Sequence, residues 1–462
     1  MILHPCILVS LICILFYPIS TVIGAPHESP ISREDISEVT PGELLIRVTP
    51  EAQAELERLH AKASLQKFHD QMRVQSIHRV FSHIAYPELN LNLARSYLLR
   101  FPIAADLYAL KTAYANHPLI EAVEFNYLRP TQASEIIPND PRFEEQWNLP
   151  IINMPQAWAI EKGDPNVIIA IVDTGVDYKH EDLASKIWVN ADEIPDNGID
   201  DDGNGYIDDI RGWDFTDAPS VAGAGDFLEG DNDPIDESGH GTHVAGIAGA
   251  AVGNGIGVAG IAWNCKLMPI RAGMSLGGGT SLQDDDSAAA IVYAADNGAS
   301  VINMSWGSSR NSFVIRDAVD YAYATGVLLV AAAGNDSRNE VIFPAGYRKV
   351  IAVAATEQHK QKFYQSNAGA SIDIGAPGNV ILSTQINNRY RLLTGTSMAT
   401  PHVAGVAALV MSKRPNLTPE EVRQILVSTA DSITESPDLV GAGNLNAERA
   451  LMASGWLQAR IF

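Results

Sequence analysis

The sequence is short of cysteine, of basic residues and of long apolar runs. Three cysteines occur in 462 residues, and two of them, Cys6 and Cys13, lie in or beside an apolar stretch at the extreme N-terminus. Only Cys265 lies beyond it, so an intrachain disulfide is excluded for the remainder of the chain. Lys and Arg total 32 against 55 Asp and Glu, a formal net charge of −23. That balance argues against a nucleic-acid binder, which needs a basic face to neutralise phosphates, and against a polybasic membrane-surface protein. The longest apolar run, Ile7 to Ile19, spans thirteen residues broken only by Ser10 and Pro18. It is too short to cross a bilayer comfortably. No internal repeat or low-complexity tract is present.

What the chain does contain falls into three parts. The apolar run is followed by Val22-Ile23-Gly24-Ala25, which reads as a secretory signal peptide over residues 1–25. Its n-region offers His4 and no Lys or Arg, and an uncleaved anchor is the alternative. An exported protein without disulfides must draw stability from elsewhere, and bound metal is one source. Next comes a small unit of about 90 residues. Gly42–Val48 reads as a strand, Glu51–Gln71 as a helix, Ser96–Phe101 as a strand, Ala105–His117 as a helix and Ile120–Leu128 as a strand. This order predicts a compact α+β module, and Pro130–Pro138 reads as a linker.

From Asp140 the texture changes. Val167–Asp173, Val301–Met304, Val327–Ala333 and Val350–Ala354 are buried-strand runs separated by helical segments such as Ala288–Asn297 and Ser312–Ala324. Continuous apolar strands alternating with helices predict an α/β domain with a parallel central sheet flanked by helices. His240–Val252 and Ser397–Met411 read as Ala-rich helices.

Three segments carry chemistry. Ala170-Ile171-Val172-Asp173-Thr174-Gly175 puts a carboxylate at the tip of a buried strand. Gly239-His240-Gly241-Thr242-His243 opens one helix, and Gly395-Thr396-Ser397-Met398-Ala399-Thr400-Pro401-His402 opens another. Alone, each has a plain structural explanation: a turn Asp, a bend His, an N-cap Ser. Together they supply acid, imidazole and hydroxyl in Asp…His…Ser order, one of the known chain orders of the nucleophilic triad.

Over about residues 138–455 the chain resembles the subtilisin-family serine peptidases (subtilases), nearest their thermitase-like, calcium-binding branch. The resemblance implies that Ser397 attacks the scissile carbonyl, that His240 takes its proton, and that Asp173 orients the imidazole. It favours His240 over the neighbouring His243. Asn335, at the end of Val330-Ala331-Ala332-Ala333-Gly334-Asn335, is the implied oxyanion donor. Ser305, Trp306 and Gly307 are the implied edge for the substrate strand, with Gly277 and Gly278 on the opposite edge. Ile342 falls near the floor of the implied main specificity pocket, where it would disfavour large aromatics.

Calcium is the expected cofactor. Within 191–236 fifteen carboxylates face one base, Arg211. Asp200, Asp202, Asn204 and Asp208 alternate around Gly205 in an EF-hand-type loop whose twelfth position is Arg211 instead of Glu, leaving Asp196 or Asp209 as further ligands. The resemblance implies a second site from Asp140, Asp182 and Asn254 with the carbonyls of Val252, Ile256 and Val258. A third is implied by Asp214 and Asp217 with Asp231 or Asp233, in a segment whose spacing is disturbed around Val221–Gly230.

By the same resemblance the N-terminal module is a ferredoxin-like propeptide within residues 26–137. It would act as a transient inhibitor and be cut off between Arg129 and Asn139 to leave a peptidase domain over 138–462. The expected protein is a secreted monomeric endopeptidase, extracellular or periplasmic, acting on proteins or peptides. The alternatives are a narrow-specificity processing protease, a silent binding scaffold or a transpeptidase.

Overall fold

A computed structural model describes residues 39–57, 64–81, 83, 92–103, 105–127, 135–218, 225–227, 229–276, 279–433 and 440–454. The chain divides into two compact units, Met1–Ile36 and Ser37–Phe462. The first, which holds the expected signal segment, lies outside the described residues.

Near its N-terminal end the second unit contains β1 (Val39–Val48), α1 (Pro50–Glu57), α2 (Ser64–Gln71), β2 (Ser76–Arg79), β3 (Ser96–Arg100), α3 (Leu107–Ala115) and β4 (Ile120–Tyr127). Its strands form one antiparallel sheet in the order β2-β3-β1-β4, the ferredoxin-like β-α-β-β-α-β pattern. Alternation along β1 buries Leu44, Ile46 and Val48, and Leu99, Phe101 and Phe125 join them in the core. Asp106 caps α3, accepting from the N–H groups of Tyr108 and Ala109 at 3.1 and 3.0 Å. The single helix expected over Glu51–Gln71 is found as α1 and α2 on either side of residues 58–63, which are outside the described residues. Strand β2 was not expected: it is four residues long and lies at a sheet edge with no buried side chain.

The rest of the unit is built on a seven-stranded parallel sheet. Its elements are α4 (Asn148–Ile151), α5 (Met154–Ile160), β5 (Ile168–Asp173), β6 (Trp213–Asp214), α6 (His240–Gly249), β7 (Lys266–Arg271), β8 (Gly273–Leu276), β9 (Gly279–Leu282), α7 (Asp284–Asp296), β10 (Val301–Met304), α8 (Phe313–Ala324), β11 (Leu328–Ala332), β12 (Val350–Thr356), β13 (Ile374–Pro377), β14 (Ile381–Gln385), β15 (Arg389–Leu393), α9 (Thr396–Lys413), α10 (Pro419–Ser428) and α11 (Ala447–Ser454). The sheet order is β13-β12-β11-β10-β5-β7-β6, and every pairing is parallel. At one edge β6 has only two residues; beyond β13, Gly375 bridges to Asn444.

Both faces of this sheet are covered, which is why its strands are apolar without a break. Ile169, Ile171, Val301, Val330 and Val353 face a core shared with α6, α9 and α11. Their neighbours Ala170, Val172, Ile302, Leu329 and Ala352 face a second core shared with α7 and α8. The four strands expected from sequence are present, with boundaries shifted by at most two residues. Strand β7, beside β5 and second from the sheet edge, was missed because Pro269 and its terminal Lys266 and Arg271 break the apolar run; a Pro normally demotes a candidate strand. No helix among the described residues is long and apolar enough to cross a membrane.

Candidate active site

The carboxyl ends of β5 and β10 and the first turns of α6 and α9 converge on one region. Asp173 is the last residue of β5 and is buried. His240 opens α6 and donates from Nδ1 to Asp173 Oδ1 at 2.7 Å. Asp173 Oδ1 also accepts from the Thr174 N–H at 2.8 Å.

The junction between β5 and α6 explains this alignment. Buried Asp236 accepts from the N–H groups of Ser238, Gly239 and Thr242, each at 2.8 Å, and from Thr242 Oγ1 at 2.6 Å. It therefore satisfies donors that a helix start leaves open. Thr174 Oγ1 donates to Asp236 at 2.9 Å and accepts from the Gly241 N–H at 2.9 Å. Gly241 is required here, since a Cβ would come within 2.1 Å of the Gly175 carbonyl oxygen. Asp236 was missed in the sequence, where it is one carboxylate among fifteen; its signal was its place four residues before His240.

Electrostatics at the imidazole follow from these contacts. Burial disfavours the charged ring, but the charge and hydrogen bond of Asp173, aided by Asp236, outweigh it and raise the His240 pKa above its ordinary value. His243 is fully buried and donates from Nε2 to the Arg391 carbonyl at 2.9 Å. Burial pushes its pKa down to about 4. His402 is likewise buried, bound at Nδ1 to the Met398 carbonyl and at Nε2 to Asn148, both at 2.8 Å. Neither ring is bonded to Asp173.

Ser397 lies in the first turn of α9, where backbone N–H groups lack intrahelical acceptors. Its Oγ donates to the Ser305 carbonyl at 2.8 Å, while Ser305 Oγ donates to the Ser397 carbonyl at 2.9 Å. Among the described residues no hydrogen bond joins Ser397 to His240. Asn335 is exposed, and its Oδ1 accepts from Thr396 N and Oγ1 at 2.9 and 3.1 Å. With its oxygen anchored beside Ser397, the amide Nδ2 meets no acceptor among the described residues.

Ser305, Trp306 and Gly307 continue β10, and Trp306 Nε1 donates to the Val172 carbonyl at 2.8 Å. A Cβ on Gly307 would approach Ile342 Cδ1 to 2.6 Å, and one on Gly334 would approach it to 3.3 Å. The Ile342 side chain therefore fills space between two glycines beside Asn335. Leu276 and Gly279 end the β8–β9 hairpin; Gly277 and Gly278 lie outside the described residues.

The expected calcium ligands fall in two places. Asp140, Asp182 and Asn254 come together on the loop that follows α6. Asp140 Oδ2 accepts from the Gly253 N–H at 2.7 Å, and Asp182 accepts from Asn254 Nδ2 and the Val258 N–H at 2.8 and 2.9 Å. The Ile256 N–H donates to Asn254 Oδ1 at 2.8 Å, and Val252 is buried in the same loop. Asp140 Oδ1 is buried without a hydrogen-bond partner. Burial, with the Asp140 charge nearby, pushes Asp182 up to about 6. An orphaned carboxylate oxygen among crowded carboxylates fits a hard cation with oxygen ligands.

In the Asp-rich loop, Asp200 and Asp202 bring carboxylate oxygens within 4.8 Å of one another and of Glu193. Asn204 lies beside them, donating to Asp202 at 3.1 Å. Asp208 is not in this cluster. Its φ is 56°, and its carboxylate instead accepts from the Asn197 and Gly198 N–H groups at 3.1 and 2.8 Å. Asp209 is bound by Asn190, Asn204 and the Tyr293 hydroxyl. The missed member, Glu193, precedes the loop, whereas an EF-hand-type motif directs attention to its downstream end. Of the third expected group, Asp214 and Asp231 pair through their backbones, while Asp217 clusters with other carboxylates. Asp214 is spent on Arg271 and the Thr216 N–H, Asp231 on the Asp233 N–H, and Asp233 on the Tyr178 hydroxyl.

Comparison with known proteins places this arrangement in context. A model for the subtilase family of peptidases matches residues 164–448. Thermitase of Thermoactinomyces vulgaris is 38% identical over 315 residues, covering 68% of this chain and 99% of thermitase. The thermophilic serine proteinase of Bacillus sp. strain AK1 is 38% identical over 347 residues, 75% of this chain and 76% of the relative. The halolysin-like extracellular serine protease Nep of Natrialba magadii is 37% identical over 353 residues, 76% of this chain and 60% of the relative. A solved structure of proteases from Pseudoalteromonas arctica PAMC 21717 aligns with a TM-score of 0.58 at 33% identity, covering 69% of this chain and 99% of that one.

Proposed function

This chain belongs to the subtilase family and is a serine-type endopeptidase, and from that premise we propose that Ser397, His240 and Asp173 carry its catalysis. The observation that carries the assignment is the 2.7 Å bond from His240 to Asp173, with Ser397 at the start of α9. Ser397 Oγ attacks the peptide carbonyl carbon as His240 Nε2 takes its proton. Asp173 fixes the tautomer that leaves Nε2 unprotonated and stabilises the imidazolium that forms. The oxygen of the tetrahedral intermediate receives hydrogen bonds from Asn335 Nδ2 and the N–H at Ser397. His240 then returns the proton to the leaving amine, giving an acyl-enzyme that water hydrolyses by the reverse sequence.

Substrate binds as an added strand along Ser305, Trp306 and Gly307, opposite the β8–β9 hairpin. Recognition is then largely through backbone, so sequence tolerance is broad. Ile342, wedged against Gly307 and Gly334, shortens the pocket for the side chain before the cut bond. Small residues are preferred there, and Ile342→Gly raises kcat/KM for peptides with a large aromatic at that position about tenfold or more. A panel of otherwise identical peptides measures this.

Residues 1–25 act as a secretory signal and 26–137 as a propeptide that is removed, and the mature enzyme works outside the cytoplasm as a monomer. Asp140, Asp182 and Asn254, and separately Glu193, Asp200, Asp202 and Asn204, hold calcium, with the carbonyls of Val252, Ile256 and Val258 adding to the first set. Bound calcium contributes folding free energy by linkage to the native state.

The deciding experiment is intact mass and N-terminal sequencing of wild-type and Ser397→Ala chains, each expressed from residue 26 with calcium. Wild type is expected to be cut between Arg129 and Asn139 while the variant stays whole. If both stay whole, the self-processing zymogen is wrong; if both are cut, Ser397 is not the nucleophile.

A further inference from the structure

Asp217 does not join the residues with which the sequence grouped it. It lies after β6, and its carboxylate instead meets Asp285 and Asp286 in the first turn of α7, with one oxygen from each residue within 4.8 Å of the others. Asp217 and Asp285 are exposed, but Asp286 is only 5% exposed. Asp286 Oδ2 is buried and has no hydrogen-bond partner. A buried carboxylate oxygen without a partner is costly, and two further carboxylates at this distance add to the cost. The start of α7 offsets part of that charge through the helix dipole, an effect that falls off within one turn.

Among the described residues no ion pair reaches Asp286. Asp286 is buried, the charges that act on it come from Asp285, Asp217 and Asp214, and only the Asp217 backbone N–H opposes them in part. Arg271 spends its two terminal nitrogens on Asp214 at 2.8 Å, Glu237 at 3.1 Å and the Asp226 carbonyl, and its Nε is buried without a partner.

We propose that Asp217, Asp285 and Asp286 form a further calcium site, separate from the sets around Asp182 and Glu193, that fastens the segment after β6 to the start of α7. Three carboxylates and no nitrogen or sulfur donor suit a hard divalent cation, and two exposed members leave room for water ligands, which calcium accepts more flexibly than magnesium. Helix α7 begins at Asp284, two residues after β9 ends at Leu282, so the tie lies next to one edge of the proposed substrate cleft.

The test is calcium titration by calorimetry, with bound calcium counted after gel filtration. It uses chelator-treated chain carrying Ser397→Ala to prevent self-digestion. Adding Asp286→Asn is expected to lower the stoichiometry by one calcium per chain. Because Asp286 is buried, a second variant changes only the exposed pair, Asp217→Asn with Asp285→Asn, and the same loss of one calcium is expected. An unchanged stoichiometry in the exposed-pair variant overturns the site while leaving the other two intact. A parent chain that binds no calcium overturns all three.

Discussion

The N-terminal module and the peptidase domain each hold a histidine whose Nδ1 is hydrogen-bonded at 2.7 Å, and the two rings have opposite electrostatics. In the module, His69 bonds to the Tyr114 hydroxyl, is 1% exposed, and has a buried Nε2 with no partner. Burial, with the nearby His117, lowers its pKa to about 4, and Asp70 opposes this only weakly. In the domain, His240 bonds to Asp173 and its pKa is raised. Bond length is the same, so it is not what separates them. The phenol of Tyr114 is neutral and cannot compensate a buried imidazolium, whereas a carboxylate can. One ring is a packed aromatic, and the other is ready to accept a proton.

The largest expected effect comes from making the second ring resemble the first. Asp173→Asn removes the charge and leaves burial dominant, so turnover should fall about 10⁴-fold. The wild-type pH profile of kcat/KM should rise through a pKa above 6.5, because only the neutral ring accepts the proton. In Asp173→Asn the same limb should move to lower pH. A limb that stays in place would show that Asp173 does not set the His240 pKa, and the comparison would fail.

A smaller effect is expected in the module. Its folded-state His69 pKa lies below the unfolded value near 6.5, so the unfolded chain binds more protons between pH 6.5 and 4. Stability is therefore complete above 6.5, declines as pH falls towards 4, and levels off below it, a loss on the order of 3 kcal/mol. Hydrogen exchange of amides in residues 39–127, followed in full-length Ser397→Ala chain, should accelerate over that window. His69→Phe should flatten the response. Exchange that is independent of pH, after correction for its intrinsic rate, would place a compensating charge beside His69.

The two regions also differ in how much of them was legible. The α/β sheet announced itself because burial on both faces forces apolar runs such as Val301–Met304, and the Asp173, His240 and Ser397 segments stand at strand ends and helix starts where such runs stop. What was hidden depended on contacts distant in sequence. Strand β7 keeps its place despite Pro269 because β5 pairs with it from Lys266 to Arg271, while β6 reaches only Ile270 and Arg271. Glu193 reaches the Asp-rich loop from upstream, and Asp208 is diverted to a turn by its positive φ. Asp286 is brought to Asp217 only by the packing of α7. Helix α10 is a different case, because its signal was local. Thr418 and Glu421 form a capping box, the S/T-x-x-E pattern that marks a helix start.

The short outer strand β6 and the Gly375–Asn444 bridge beyond β13 have a consequence for behaviour in concentrated solution. A sheet edge recruits neighbouring chains when it offers a long row of unpaired N–H and C=O groups. Here one flank ends after two residues and the other is bridged by the chain's own C-terminal segment. These two flanks therefore give a second copy of the chain little to pair with, which favours dispersed particles over fibrils.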